Sequence, residues 1–156
     1  MMYKYLDNES ATRIDALVKE VRENIQGNSL DVGVLTSLIR QRGTVIYEGG
    51  DVKRCSAQST GNGEIIRLRE HMGEDFRRVI LTHELGHLIL GHSHSDKDTK
   101  VKQDEADYFA MKLLGLSERQ YLCCCLKERI AKEVFRLFPR VLSDELSYLS
   151  LSLGNS

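Results

Sequence analysis

Apolar and polar positions follow helical spacing over most of the chain. Ala11, Ile14, Leu17, Val18, Val21 and Ile25 recur at three- and four-residue intervals, which predicts an amphipathic helix from Ser10 to about Ile25. Gly27-Asn28-Ser29 breaks it. Leu30, Val34, Leu35, Leu38 and Ile39 then predict a second helix over Asp31 to Arg42, stopped by Gly43. The period shortens after that glycine. Thr44-Val45-Ile46-Tyr47 is β-rich, and Val52 to Gln58 reads as a weaker strand. Glu64-Ile65-Ile66-Arg67-Leu68 follows the turn Thr60-Gly61-Asn62-Gly63, so a small antiparallel sheet of about three strands is expected.

Helical spacing returns from Glu74 to Leu90, but here the apolar residues leave little polar face. Val79, Ile80, Leu81, Leu85, Leu88, Ile89 and Leu90 nearly encircle the axis, the pattern of a buried helix, and Gly91 ends it. Gly86 lies inside it at a cost of about 1 kcal/mol against alanine, which points to a close neighbour. His92 to Asp98 reads as a polar loop. A fourth helix is expected over Lys100 to Leu114, with Ala106, Phe109, Ala110, Leu113 and Leu114 inward and Gly115 closing it. Ser117-Glu118-Arg119-Gln120 reads as a capping box opening a fifth helix to about Phe138. Ser143 would cap a last helix through Leu146, Leu149 and Leu153. The fold class expected is α+β, mostly helical, with the sheet beside the helix at 74–90. Without repeat, linker or low-complexity tract, residues 1–156 read as a single domain.

Composition narrows the setting. A hydrophobic content of 41 % and a charged content of 29 % are those of a soluble globular protein. The net charge of −1 gives no footprint for nucleic acid or an anionic membrane surface. The first residues carry no apolar signal core, and no run reaches membrane-spanning length. Cys55 and the run Cys123-Cys124-Cys125 lack the spacing of a zinc knuckle or a redox pair. They read as reduced thiols, and the expected location is the cytoplasm.

The chemistry concentrates in the buried helix. Thr82-His83-Glu84-Leu85-Gly86-His87 contains His-Glu-x-x-His. Side chains four residues apart project from one helix face on successive turns, so His83 and His87 can hold one metal from a rigid element. Glu84 stands beside them as the candidate general base. Catalytic zinc takes three protein ligands and leaves a position for water. The metzincin pattern needs glycine and histidine where this chain has Leu90 and Ser93, so His92 and His94 are read as loop residues. On the fourth helix, at about 100° per residue, Gln103 and Asp107 lie near one edge of the apolar face and Glu105 at the opposite edge. All three remain candidates for the third ligand. Tyr108 and His92 are candidate donors to the reaction's oxyanion.

Two segments, Arg78-Val79-Ile80-Leu81-Thr82-His83-Glu84-Leu85-Gly86-His87-Leu88-Ile89-Leu90-Gly91-His92 and Glu105-Ala106-Asp107-Tyr108-Phe109-Ala110-x-x-Leu113-Leu114, resemble the ImmA/IrrE metallopeptidases. Gly63 to Leu68 is similar to that family's strand before the metal helix, so the resemblance spans about residues 63–115. It implies a small gluzincin-like cytoplasmic zinc peptidase. His83 and His87 match the metal ligands and Glu84 the general base. Gln103 stands in the slot where the family carries a glutamate ligand, and Asp107 matches the neighbouring Asn/Asp position. Gly115-Leu116 replaces a frequent Met-Pro. A neutral glutamine oxygen holds zinc less tightly than a carboxylate.

The expected function is that of a zinc-dependent endopeptidase acting on a regulatory protein. By resemblance the partner is a helix-turn-helix repressor of a mobile element or stress pathway, with no direct contact to nucleic acid or membrane. The alternative is a non-catalytic binding module, an anti-repressor or toxin–antitoxin partner, that keeps the zincin fold around a degenerate third ligand.

Overall fold

The computed structural model describes residues 3–25, 29–49, 57–59, 65–68 and 72–126. Helix α1 spans Asn8–Asn24 and opens where the Asp7 carboxylate accepts the Ser10 amide at 2.7 Å. Helix α2 spans Val32–Arg40, capped in the same way by Asp31 on the Val34 amide at 2.8 Å. Three short strands follow: β1 (Val45–Glu48), β2 (Ala57–Ser59) and β3 (Ile65–Leu68). Helix α3 covers Glu74–Ile89, with Glu74 and Asp75 in its first turn where carboxylates favour the helix dipole. A 3-10 turn over His92–His94 leads to α4, Thr99–Leu114. Residues 118–126 begin α5 behind a reciprocal capping box. In that box the Gln120 side chain accepts the Ser117 amide at 2.8 Å, and the Gln120 amide donates to Ser117 Oγ at 3.3 Å.

The mostly helical α+β class holds, but the sheet is mixed. Its order is β1-β3-β2, with β2 antiparallel to β3 and β1 parallel to β3. The antiparallel expectation is therefore right for one ladder and wrong for the other. A fully antiparallel meander would set β2 beside β1. Here β2 forms the far edge, and β3 takes the centre in parallel register with β1, Val45 opposite Ile65. Expected strand residues 52–56, the turn 60–63, Cys55, the fifth helix from residue 127 to Phe138 and the last helix through Leu153 lie outside the described residues. Among those described, no helix is long and apolar enough to cross a membrane.

The larger hydrophobic cluster joins α1, α2, β3, α3 and α4. Ile14, Val18 and Val21 of α1, Leu35 and Ile39 of α2, Ile66 and Leu68 of β3, and Leu81 and Leu85 of α3 meet Phe109 and Leu113 of α4. Packing of α3 against α4 positions the site. Gly86 lets the two backbones approach: an added Cβ there would lie 3.0 Å from Phe109 Cδ1 and 3.3 Å from the Ala106 carbonyl oxygen. That is the close neighbour expected from a glycine in mid-helix. Arg22 of α1 donates to the Lys112 and Leu113 carbonyls at 2.9 and 3.1 Å and ties down the end of α4.

Candidate metal centre

His83 and His87 project from successive turns of α3, and their Nε2 atoms face each other at 3.0 Å. Their rings are nearly perpendicular, with centroids 4.7 Å apart. Each Nδ1 points the other way, to a different partner. His83 Nδ1 lies 2.8 Å from Asp107 Oδ1, and that same oxygen accepts the Tyr121 hydroxyl at 2.7 Å. His87 Nδ1 lies 2.7 Å from Nδ1 of His92, whose Nε2 lies 3.0 Å from Glu105 Oε2. Glu105 is fully buried, and its other oxygen takes Lys97 Nζ at 2.6 Å and Arg13 at 3.4 Å.

These partners determine where the protons sit. A carboxylate only accepts, so His83 donates from Nδ1 to Asp107 and His92 donates from Nε2 to Glu105. Burial pushes the His92 pKa down. A neutral His92 ring leaves its Nδ1 bare, able to accept a proton carried on His87 Nδ1. Both facing Nε2 atoms would then be lone pairs 3.0 Å apart, an arrangement that needs a cation or a shared proton between them.

Without a metal, a proton meets that need. Burial works against charging His83, but the bond and charge of Asp107, with Glu84 and the Gln103 amide, outweigh it and raise its pKa. His87 is driven down to about 3 by burial and by the neighbouring His83 and His92 rings. Asp107 is likewise lowered: burial opposes its charge, and the His83 and Tyr121 bonds overcome that.

The third side chain at the pair is Gln103, whose amide nitrogen lies 3.3 Å from His87 Nε2. As oriented, it donates to the bare ring nitrogen; a half-turn of the amide would present its oxygen instead. The three sequence candidates thus separate. Gln103 and Asp107 stand on the histidine side of α4, Asp107 behind His83. Glu105 points to His92 and Lys97, with the His92 ring between it and His87. Among the described residues, no group of three His, Cys, Asp or Glu side chains is gathered to hold a metal. The donor set is two neutral imidazoles and one neutral amide, a set that fits a divalent cation with less charge compensation than a carboxylate would give. Glu84 is buried beside the pair, and burial raises its pKa above the usual carboxylate value.

Two expectations fail. Tyr108 does not face the histidines: its hydroxyl donates to Asp15 of α1 at 3.3 Å and its ring meets Tyr3 edge-on. His92 lies in the turn after α3 as expected, but it is 5 % exposed behind His87 with both ring nitrogens engaged, which leaves none for an oxyanion. The helix end explains its position. Gly91 turns left-handed at φ 67°, and its amide bonds the Leu88 carbonyl at 3.3 Å. This stop motif brings the residue after the glycine against the side chain one turn back, which is His87. Tyr121 had no signal in the sequence, since its bond to Asp107 spans the turn between α4 and α5.

Compared with known families, residues 41–122 match the model of the IrrE N-terminal-like domain, peptidase family M78. No curated protein and no solved structure matches the chain. The match covers more than half of the chain, includes both histidines, Glu84 and the whole of α4, and is to a family of metal-dependent peptidases. By that match the chain belongs to the M78 peptidases, the family of the IrrE N-terminal-like domain.

Proposed function

We propose that the protein is a zinc-dependent endopeptidase that cleaves a cytoplasmic regulatory protein, with a helix-turn-helix repressor as the substrate class. The observation that carries the reading is the pair of Nε2 atoms 3.0 Å apart, each with its Nδ1 held from behind. Such a pair is built for a shared cation. His83 and His87 hold the ion in this reading, with Gln103 as the third, neutral donor. Bound zinc supplies Lewis-acid polarisation of the scissile carbonyl and of the attacking water.

The chain's own residues carry the proton. Glu84, with its pKa raised by burial, is a stronger base than an exposed carboxylate. Its carboxylate takes a proton as the water oxygen bonds to the peptide carbon. It returns that proton to the leaving nitrogen as the C–N bond breaks, which yields a carboxyl and an amine terminus. The repressor class is supported by the family resemblance alone, the cytoplasmic setting by the unpaired thiols Cys123, Cys124 and Cys125.

One observation favours a second reading. Gln103 leaves the site without a carboxylate ligand, so a binding module that retains the fold would carry the same features. Terminal-peptide sequencing separates the two. A lysate of the producing cell is incubated with zinc and either wild type or Glu84→Gln. New N-termini with wild type alone support the peptidase. An intact partner held stoichiometrically by both proteins, without new termini, supports the binding module.

A further inference from the structure

The polar relay behind His87 belongs to none of the roles assigned above. His92 and Glu105 are among the most buried polar side chains described, at 5 % and 0 % exposure. Burial of a charged carboxylate is costly unless it is fully bonded. Glu105 meets that demand with His92, Lys97 and Arg13. A core designed only for packing would fill this space with apolar side chains at no such cost. The relay also has a direction. Glu105 accepts from His92 Nε2, which leaves His92 Nδ1 to accept from His87 Nδ1 at 2.7 Å. The proton on His87 is thereby kept on the nitrogen facing away from His83.

We infer that His92, held by Glu105, is a positioning residue that fixes the ring and tautomer of His87, so that His87 Nε2 presents a lone pair toward His83 Nε2. The inference rests on the reading of His83 and His87 as the metal-holding pair. It gives the two histidines matched braces of different make. His83 is held by Asp107 and Tyr121, and His87 by His92 and Glu105. It also removes Glu105 from the candidate ligands, since both its oxygens are engaged on the far side of the His92 ring. Metal-binding histidines are ordinarily fixed through their second nitrogen, and loss of such a partner weakens metal binding about 10–100-fold.

The test uses the full chain, zinc alone as the ligand, and two substitutions. His92→Asn puts a carbonyl oxygen where the accepting nitrogen stood; His92→Leu removes the acceptor. Nitrogen-15 NMR of the metal-free proteins reads the His87 tautomer, and competition with a chelator reads zinc affinity. The expected result is an Nδ1-protonated His87 in wild type and His92→Asn. In His92→Leu the proton should move to Nε2, with zinc affinity about 10–100-fold lower. A His87 in wild type that carries its proton on Nε2 overturns the inference, and that measurement needs no variant to fold. An unchanged tautomer and affinity in His92→Leu overturn it equally. Wild type that binds no zinc defeats the metal reading instead, while the tautomer still decides the role of His92.

Discussion

Replacing Gly86 by alanine sets two opposed effects against each other in the α3–α4 contact. Alanine is the better helix former, worth about 1 kcal/mol at an interior position. Its methyl would meet Phe109 Cδ1 at 3.0 Å, the Ala106 carbonyl oxygen at 3.3 Å and Ala106 Cα at 3.4 Å. Phe109 is fully buried, so the ring has no solvent to move into, and both Ala106 atoms are main chain. Overpacking of this kind costs about 1–3 kcal/mol, which outweighs the helical gain. The expected outcome is a net loss of about 1 kcal/mol. Urea unfolding of the metal-free protein, with an unchanged slope against denaturant, would measure it. Parting α3 from α4 would also lengthen the His83–Asp107 contact of 2.8 Å, so zinc affinity should fall in the same variant. In the background of Phe109→Leu, the alanine should cost less than it does alone. A Gly86→Ala protein more stable than wild type by the helix-propensity increment would rule out the close packing of α3 on α4.

Other outcomes follow from the same contacts. Glu105→Gln removes a carboxylate whose pKa burial would raise but whose Lys97, Ser10 and His92 bonds lower it on balance. A lowered folded pKa means stability that is present above the unfolded glutamate value and lost as pH falls through the folded one. The variant should therefore show a flatter stability curve than wild type over that acidic window; parallel curves would contradict the assignment. Gly115→Ala places a side chain at φ 68° and a methyl 3.2 Å from Arg22, at an expected cost of about 1–2 kcal/mol in urea unfolding. An unaltered midpoint would argue against the left-handed cap.

Much of this architecture was legible in the residues, for identifiable reasons. Helix limits are marked locally: Asp31 caps α2, and Gly91 and Gly115 end α3 and α4 in the left-handed conformation that glycine adopts without strain. The period along α4 separated Gln103 and Asp107 from Glu105, because helical geometry alone decides which edge each occupies. Strand pairing was not legible, since the parallel register of β1 on β3 depends on contacts distant in sequence. The place of Tyr108 is set in the same way: its partner, Asp15, lies on α1. His92 had a local signal that its polar neighbours concealed. A residue following a glycine helix stop packs back against the last turn, and here that turn carries His87.

His83, His87 and Gln103 are the proposed metal site. The direct measurement is zinc content, by elemental analysis, of protein purified without added metal, for wild type beside His83→Ala and Gln103→Glu. The expected result is near-stoichiometric zinc in wild type, loss in His83→Ala, and tighter retention against a chelator in Gln103→Glu. Wild type without zinc, beside a Gln103→Glu protein that acquires it, would mark the site as degenerate and rule out Gln103 as a working ligand.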